Sequence, residues 1–314
     1  MKIIGFDEIQ QLNISSQQCY QWVDEVLHQK EDDILPAKIS MKPENMNSVF
    51  MNVMPSILPK EDCAGVKVVT RYPQRNPSIR GEIMLYRLSS GECIALLDGN
   101  WITTMRTGAV AVHSIMNFAV KGFQNIGVIG LGNTARATMQ ILLDLCKDRE
   151  FNIFLLKYKD QHELFEEKFK KYKNAHFVYC NNAEELVSQC EVVVSAVTFF
   201  SEDICPDSCF PKGCLLVPVH TRGFSNCDLF FDKVYADDKN HVRGFKNFDK
   251  FKKFAEVAQV LRGEAVGRES DDERILIYNI GISLHDIYFA NKIEKMCSNG
   301  TNISLNAPTE KFWV

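Results

Sequence analysis

The chain lacks several features that would each have narrowed its role. No apolar run approaches the roughly 18–20 residues that a membrane-spanning helix needs. The opening "MKIIGFDEIQQ" turns acidic and polar within a few residues and has no signal-peptide core. Neither sign of charge dominates. The formal net charge is −4 over 314 residues, which argues against nucleic acid or an anionic membrane as the main partner. None of the 11 cysteines stands in a CxxC pair. The spacing of Cys205, Cys209, Cys214 and Cys227 matches no structural zinc template. There is no internal repeat and no low-complexity segment. The expectation is a cytoplasmic protein with buried, reduced thiols and no metal.

What is present is a well-filled globular chain. Apolar residues make up 46% of it, and its length suits about two ordinary domains. "KIIGF" reads as a strand, and "SSQQCYQWVDEVLHQK" as a helix capped by Ser15 or Ser16. "KISMKP", "VFMNVMPSIL" and "GVKVVTRYP" read as extended pieces. "EIMLYRLSSGECIALLDG" is the clearest hairpin. A helix follows, with Thr103 or Thr104 as its expected cap and Gly122 as its stop. From there strands and helices alternate, which predicts an α/β fold with a doubly wound parallel sheet of Rossmann type. The expected division is residues 1–118, completed by 282–314, around a dinucleotide-binding domain over 119–281.

"VIGLGNTARA" places Gly130 and Gly132 directly after a strand, with Ala135 in the third small position. In this G-x-G-x-x-A pattern the first glycine allows the tight turn. The second admits a pyrophosphate, and the small third residue lets helix and strand pack. The helix N-terminus offers free N–H groups and a positive dipole end. The next strand ends at Lys157, with Lys159 two residues on, where an acid would favour NAD. Two cations suit a 2′-phosphate, so the cofactor is NAD or NADP with a lean to NADP. "VPVHTRG" ends a strand of the same sheet in His220, Thr221, Arg222 and Gly223, at the carboxyl edge where ligands bind.

The blocks "GVKVVTRYP", "GECIALLDGNWITTMRTGAVAV", "VIGLGNTA" and "GRESDDERILIYNIGISLHDI" occur in that order over nearly the whole chain. Together they resemble the ornithine cyclodeaminase/mu-crystallin family. The resemblance implies a homodimer, a split α+β substrate and dimerisation domain, and a nicotinamide cofactor. It implies that Lys67 lies by the substrate amine and the nicotinamide, and that Arg106 binds the substrate carboxylate and touches the cofactor. Gly130, Gly132, Asn133 and Thr134 match the phosphate turn. Ser78, Thr198 and Val219 join the cofactor set, and Asn279 and Ile280 match the pair beside nicotinamide and substrate. Glu256 matches a residue near the substrate pocket. Lys38 stands where the family usually has a carboxylate-binding arginine, and a lysine lacks the bidentate fork. Arg222 falls on the position of the acid that ornithine cyclodeaminases use.

These residues leave defined alternatives. Lys67 is either a desolvated proton manager or an exposed strand lysine. Arg106 is a carboxylate clamp or a helix-start salt bridge. His220 is a general acid or a loop residue, and Arg222 an anion binder or a structural ion pair. Asp286 on the last helix is expected to order structure through a cap or salt bridge. The leading functional expectation is an NAD(P)-dependent oxidoreductase on a C–N bond of a small carboxylate-bearing amino or imino acid: an imine or ketimine reductase, or an amino-acid or opine-like dehydrogenase. Its rivals are an ornithine-cyclodeaminase-type lyase with bound NAD and a non-enzymatic binder of NAD(P)H and a small ligand. The absent acid at Arg222 counts against the lyase, and the retained Lys67 against the binder.

Overall fold

The computed structural model describes every residue except 47, 198–202, 220–223, 305–309 and 312–314. Along the chain come β1 (Lys2–Ile4), α1 (Phe6–Gln11), α2 (Ser16–Gln29), β2 (Ile39–Met41), β3 (Phe50–Leu58), β4 (Cys63–Arg71), β5 (Ile79–Arg87), β6 (Cys93–Asp98) and α3 (Gly99–Phe118). Then follow β7 (Asn125–Ile129), α4 (Asn133–Leu145), β8 (Phe151–Leu156), α5 (Gln161–Phe169), β9 (Ala175–Cys180), α6 (Ala183–Val187), β10 (Val192–Ser195) and β11 (Leu215–Pro218). The last elements are β12 (Lys233–Ala236), α7 (Lys239–Val242), β13 (Phe254–Glu256), α8 (Val257–Leu261), β14 (Ile275–Tyr278), α9 (Ser283–Met296) and β15 (Thr301–Asn302).

The chain divides into two compact units. One comprises Met1–Ile14, Asp32–Thr103 and Ser283–Val314, and the other Ser15–Glu31 and Thr104–Ile282. Residues 15–31 and 104–118 therefore group with the parallel sheet, not with the first unit where the sequence reading put them. Packing explains this. Ser16 on α2 donates to the Asp144 carboxylate of α4 at 2.5 Å. A Cβ on Gly108 would lie 2.8 Å from Ala137 and Thr138, so α3 runs against the backbone of α4 at that glycine.

The first unit holds a mixed sheet, in the order β15-β1-β6-β5-β4-β3-β2 among the described residues. Strands β3, β4 and β5 pair antiparallel in long register, with Met54 opposite Lys67 and Lys67 opposite Ile83. Odd-numbered residues of β4 from Cys63 to Val69 are buried while their neighbours are half-buried. Helix α9 covers the buried face, and it can come close because position 65 is glycine. A Cβ there would meet Ile287 Cδ1 at 2.7 Å. Residues Ser283 to Asn291 of α9 are all buried, so the helix is enclosed on every side.

The second unit holds an eight-stranded sheet in the order β13-β12-β14-β11-β10-β7-β8-β9, every pairing parallel. Its central strands are buried along their length, as a sheet covered on both faces requires. The order reverses at β7, so the glycine turn sits at the switch point. Ser15 caps α2 in a full capping box with Gln18. Helix α3 begins at Gly99, earlier than the threonines suggested, because Asp98 Oδ1 accepts the Asn100 N–H at 2.8 Å. All 11 cysteines are free thiols, and burial pushes Cys214 up to about 12.

Candidate active site

In the parallel-sheet unit the chemistry gathers at the carboxyl ends of β7, β10, β11 and β14. Gly130 follows β7 with φ +85°, a left-handed conformation that favours glycine, and a Cβ there would lie 2.8 Å from the Ala196 backbone. The turn is thus tight by necessity. Gly132 is the opposite case: its φ is an ordinary −78°, and nothing lies within 4 Å of where its Cβ would stand. That open space adjoins the start of α4, whose N-cap makes no side-chain hydrogen bond. The first N–H groups of a helix have no partner inside it, and here Asn133 and Thr134 occupy the first turn. Such a cradle fits a pyrophosphate.

Asn279 lies just past β14, and its N–H donates to the Pro218 carbonyl at 3.0 Å. Its side chain is buried. Oδ1 accepts from Ser114 Oγ on α3 at 3.1 Å, whereas Nδ2 has no hydrogen-bond partner among the described residues. A buried amide group with unused donors costs free energy unless something accepts from them. A carboxamide-bearing ring such as nicotinamide supplies that acceptor, so this unit's residues fit a nicotinamide dinucleotide.

Arg106 is buried on α3, and its guanidinium lies against Gly281. A Cβ on Gly281 would stand 3.1 Å from Nη1 and 3.2 Å from Nη2. Ile280, between Asn279 and Gly281, is buried in the apolar core. Val219 is half-buried beyond β11 and donates its N–H to the Ser195 carbonyl at 2.9 Å. The structure therefore brings Arg106, Val219, Asn279 and Ile280 to one edge of the sheet. Lys157 immediately follows β8, exposed, with Nζ donating to Asn181 Oδ1 at 3.0 Å. Thr198, His220 and Arg222 lie outside the described residues.

The sequence gives no signal for Asp237, which stands at the carboxyl end of β12. Its Oδ2 accepts the Gly281 N–H at 3.0 Å, fixing the turn on which Arg106 rests. Burial pushes its carboxyl above the usual carboxylate range, against the pull of nearby His241. Oδ1 has no hydrogen-bond partner among the described residues. Glu256 is engaged in another network. It accepts from Lys30 Nζ at 2.6 Å and from the Lys239 N–H at 2.7 Å, with Asp238 as the second partner of Lys30.

The other unit holds Lys67. It is 1% exposed in the middle of β4, so of the two alternatives the surface lysine is ruled out. Its Nζ lies 2.5 Å from Asp286 Oδ2, and Asp286 is itself fully buried on the first turn of α9. The structural role expected for Asp286 is thus a salt bridge to the candidate proton manager itself. Its signal in the sequence is faint: one acid among the apolar residues of an enclosed helix. Lys38 precedes the edge strand β2, two strands from β4, and is half-buried. Ser78 stands in the β4–β5 connection, where its carbonyl accepts from the Tyr72 N–H at 2.9 Å.

An N-((2S)-2-amino-2-carboxyethyl)-L-glutamate dehydrogenase of Staphylococcus aureus is 27% identical over 306 residues, covering 88% of this chain and 90% of that one. A Delta(1)-pyrroline-2-carboxylate reductase of Bacillus cereus is 27% identical over 293 residues, covering 86% and 88%. The solved structure of Thermococcus litoralis Delta(1)-pyrroline-2-carboxylate reductase, in complex with NADH and L-proline, superposes with a TM-score of 0.87. That match has 22% identity and covers 96% of this chain and 100% of the other. Residues 3–301 match a single family description, and the chain belongs to the ornithine cyclodeaminase/mu-crystallin family.

Proposed function

We propose that this chain is an NAD(P)-dependent oxidoreductase acting on a C–N bond of a small, carboxylate-bearing amino or imino acid, as an imine reductase or an opine-like dehydrogenase. The observation that carries the reading is Lys67, an ionisable side chain buried in an apolar sheet with a carboxylate beside it. Burying such a pair gives little stability, so its retention points to chemistry. When bound, the cofactor supplies or accepts the hydride. Lys67 manages the proton on nitrogen, and Arg106 with Lys38 holds the substrate carboxylate while Ile280 lines the substrate. Gly130, Gly132, Asn133 and Thr134 cradle the pyrophosphate. Asn279 meets the nicotinamide end, with Ser78, Val219 and Thr198 completing the cofactor contacts. His220 and Arg222 keep the roles inferred from the sequence, as a second proton donor and an anion binder. The dehydrogenase and reductase names of the two relatives at 27% identity support this substrate class.

NADP(H) is the preferred cofactor in this reading, because Lys157 stands where an acid would contact a ribose hydroxyl and no acid follows it before Asp160. A homodimer is part of the same proposal. The sheet face turned away from α9 carries an apolar cluster: Ile39 and Met41 on β2, Met51 and Val53 on β3, and Val66 and Met84 on β4 and β5, with Glu82 opposite Val68 and Arg80 opposite Thr70 on the same face. Ile39, Met41, Met51 and Met84 are 37–58% exposed, and an exposed apolar cluster of this kind, bordered by charged residues, marks an interface. No helix of the described residues is long and apolar enough to cross a membrane, and the cytoplasm is the proposed location.

The test is a titration with NADPH and NADH followed by a screen of cyclic imines, amino acids and amine–keto-acid pairs. Loss of the reduced-nicotinamide absorbance in proportion to substrate reduced is expected. Ammonia release from a diamino acid with no net absorbance change would instead establish the lyase reading.

A further inference from the structure

We propose that Asp286 is the positioning residue of the reaction, holding the Lys67 ammonium charged and aimed so that it delivers the proton to the substrate nitrogen. The proposal rests on the oxidoreductase reading above. Three observations converge on it. The first is the direct pair, Nζ to Oδ2 at 2.5 Å, between two side chains with essentially no exposure. The second is where Asp286 stands. It lies in the first turn of the 14-residue helix α9, where the positive end of the helix dipole attracts a negatively charged side chain and so supports the ion pair with Lys67.

The third observation is that the helix start is fixed against the sheet at this level. Ser283 Oγ donates to the Pro55 carbonyl of β3 at 2.7 Å. Gly65, two residues from Lys67 on the same face, lets Ile287 pack onto the strand. The carboxylate is therefore placed by backbone on both sides rather than by a flexible stem. The other titratable group in this turn is His285, buried beside Asp286. On the face around Lys67 its cross-strand neighbours are Met54 and Ile83, flanked by Ser56 and Leu85 on one side and Asn52 and Gly81 on the other, and the nearest strand charges on that face are Arg71 and Arg87 toward the two ends of β4. Glu61 and Lys295 pair with each other at 3.6 Å, further along α9.

In the reductive direction a reduced nicotinamide held by Gly130, Gly132, Asn133, Thr134 and Asn279 would supply the hydride to the imine carbon. The C=N π pair takes the proton from Lys67, giving an amine and oxidised nicotinamide. Lys67, left neutral, regains its proton from solvent. Without Asp286 the desolvated ammonium loses its stabilising partner and gives up its proton at lower pH.

The experiment compares wild type, Asp286→Asn and Asp286→Glu, each checked for a cooperative melt and NADPH binding. For imine reduction, Asp286→Asn is expected to lower kcat/KM by about 10²–10⁴-fold at pH 8. It should also move the alkaline limb of the pH profile at least about one pH unit to the acid side. Asp286→Glu should return the limb toward wild type. A readout independent of turnover is the 15N NMR titration of the Lys67 Nζ in lysine-labelled protein; in Asp286→Asn its deprotonation should begin at lower pH. An unchanged Nζ titration in folded Asp286→Asn overturns the proposal, as does an unchanged limb with an active wild type. A wild type that binds cofactor and reduces no imino acid overturns the oxidoreductase reading itself, and the role of Asp286 falls with it.

Discussion

Gly132→Ala separates the cofactor site from the fold. At this position the backbone has φ −78°, which any residue adopts, and no atom lies within 4 Å of the Cβ that alanine would add. The change therefore introduces no clash. Its cost to stability is that of alanine for glycine at an N-cap, about 0.5–1 kcal/mol. If the open space holds a pyrophosphate, the methyl group stands between the phosphate and the first N–H groups of α4. Losing one charge-assisted hydrogen bond there costs about 1.5–3 kcal/mol, or roughly 10- to 200-fold in affinity. The assay pairs fluorescence titration of NADPH with a thermal melt. The expected result is a melt shifted by a few degrees at most and a Kd raised at least about tenfold. Gly130→Ala is the control, since it forces a left-handed residue into the Ala196 backbone and should destabilise the whole unit. An unchanged NADPH Kd in folded Gly132→Ala would refute the placement of the pyrophosphate.

Three further perturbations address other parts of the molecule. Lys157→Asp removes a cation at the end of β8 and supplies the acid that suits a ribose hydroxyl; NADPH affinity should fall about 10- to 100-fold and NADH affinity hold or rise. Tight NADH binding by the wild type with none for NADPH would defeat that argument at once. Asp237 has a folded carboxyl pushed up by burial, so its contribution to stability is full below the ordinary carboxylate range and is lost as pH rises through the folded value. Asp237→Asn keeps an acceptor for the Gly281 N–H without the charge; urea denaturation should show it gaining on wild type between pH 4 and pH 7, and an equal deficit at both would contradict the burial argument. Met51→Glu places a charge on the apolar face of the mixed sheet, and sedimentation should show dimer giving way to monomer with cofactor binding retained.

Much of the fold could be read from local pattern. The β7–α4 turn was legible because its glycines do separate jobs that only their chemistry allows, and the alternation of buried strands with helices left one sheet topology. The hairpin β5–β6 was legible from its Gly91 turn, which does take a positive φ of 72°. Boundaries were harder. Two threonines resemble a cap for α3, but Asp98 starts the helix, and an acid at a strand end carries no local mark that sets it above them. Asp237 and Ser114 were invisible for a different reason. Each is defined by one long-range contact, to Gly281 and Asn279 respectively, and no spacing encodes such a contact.

Lys67 shows the limit most clearly. In a half-exposed strand the two-residue period tells which side chains are buried. In β4 it tells nothing: Gly65, Lys67 and Val69 lie on one face and Ala64, Val66 and Val68 on the other, and both sets are small or apolar apart from the lysine. A lysine in such a strand reads as the one polar, exposed residue. The structure reverses this, burying Lys67 under α9 and leaving the apolar set half-buried on the outer face. The two facts have one explanation in the proposed dimer. A sheet that packs on its own helix on one side and on a second copy on the other carries apolar residues on both faces, so alternation vanishes and a functional lysine in the inner layer goes unmarked. Disrupting the outer face with Met51→Glu should then leave the Lys67–Asp286 pair in place, because that pair is held by α9 and the β3–β5 register within one chain.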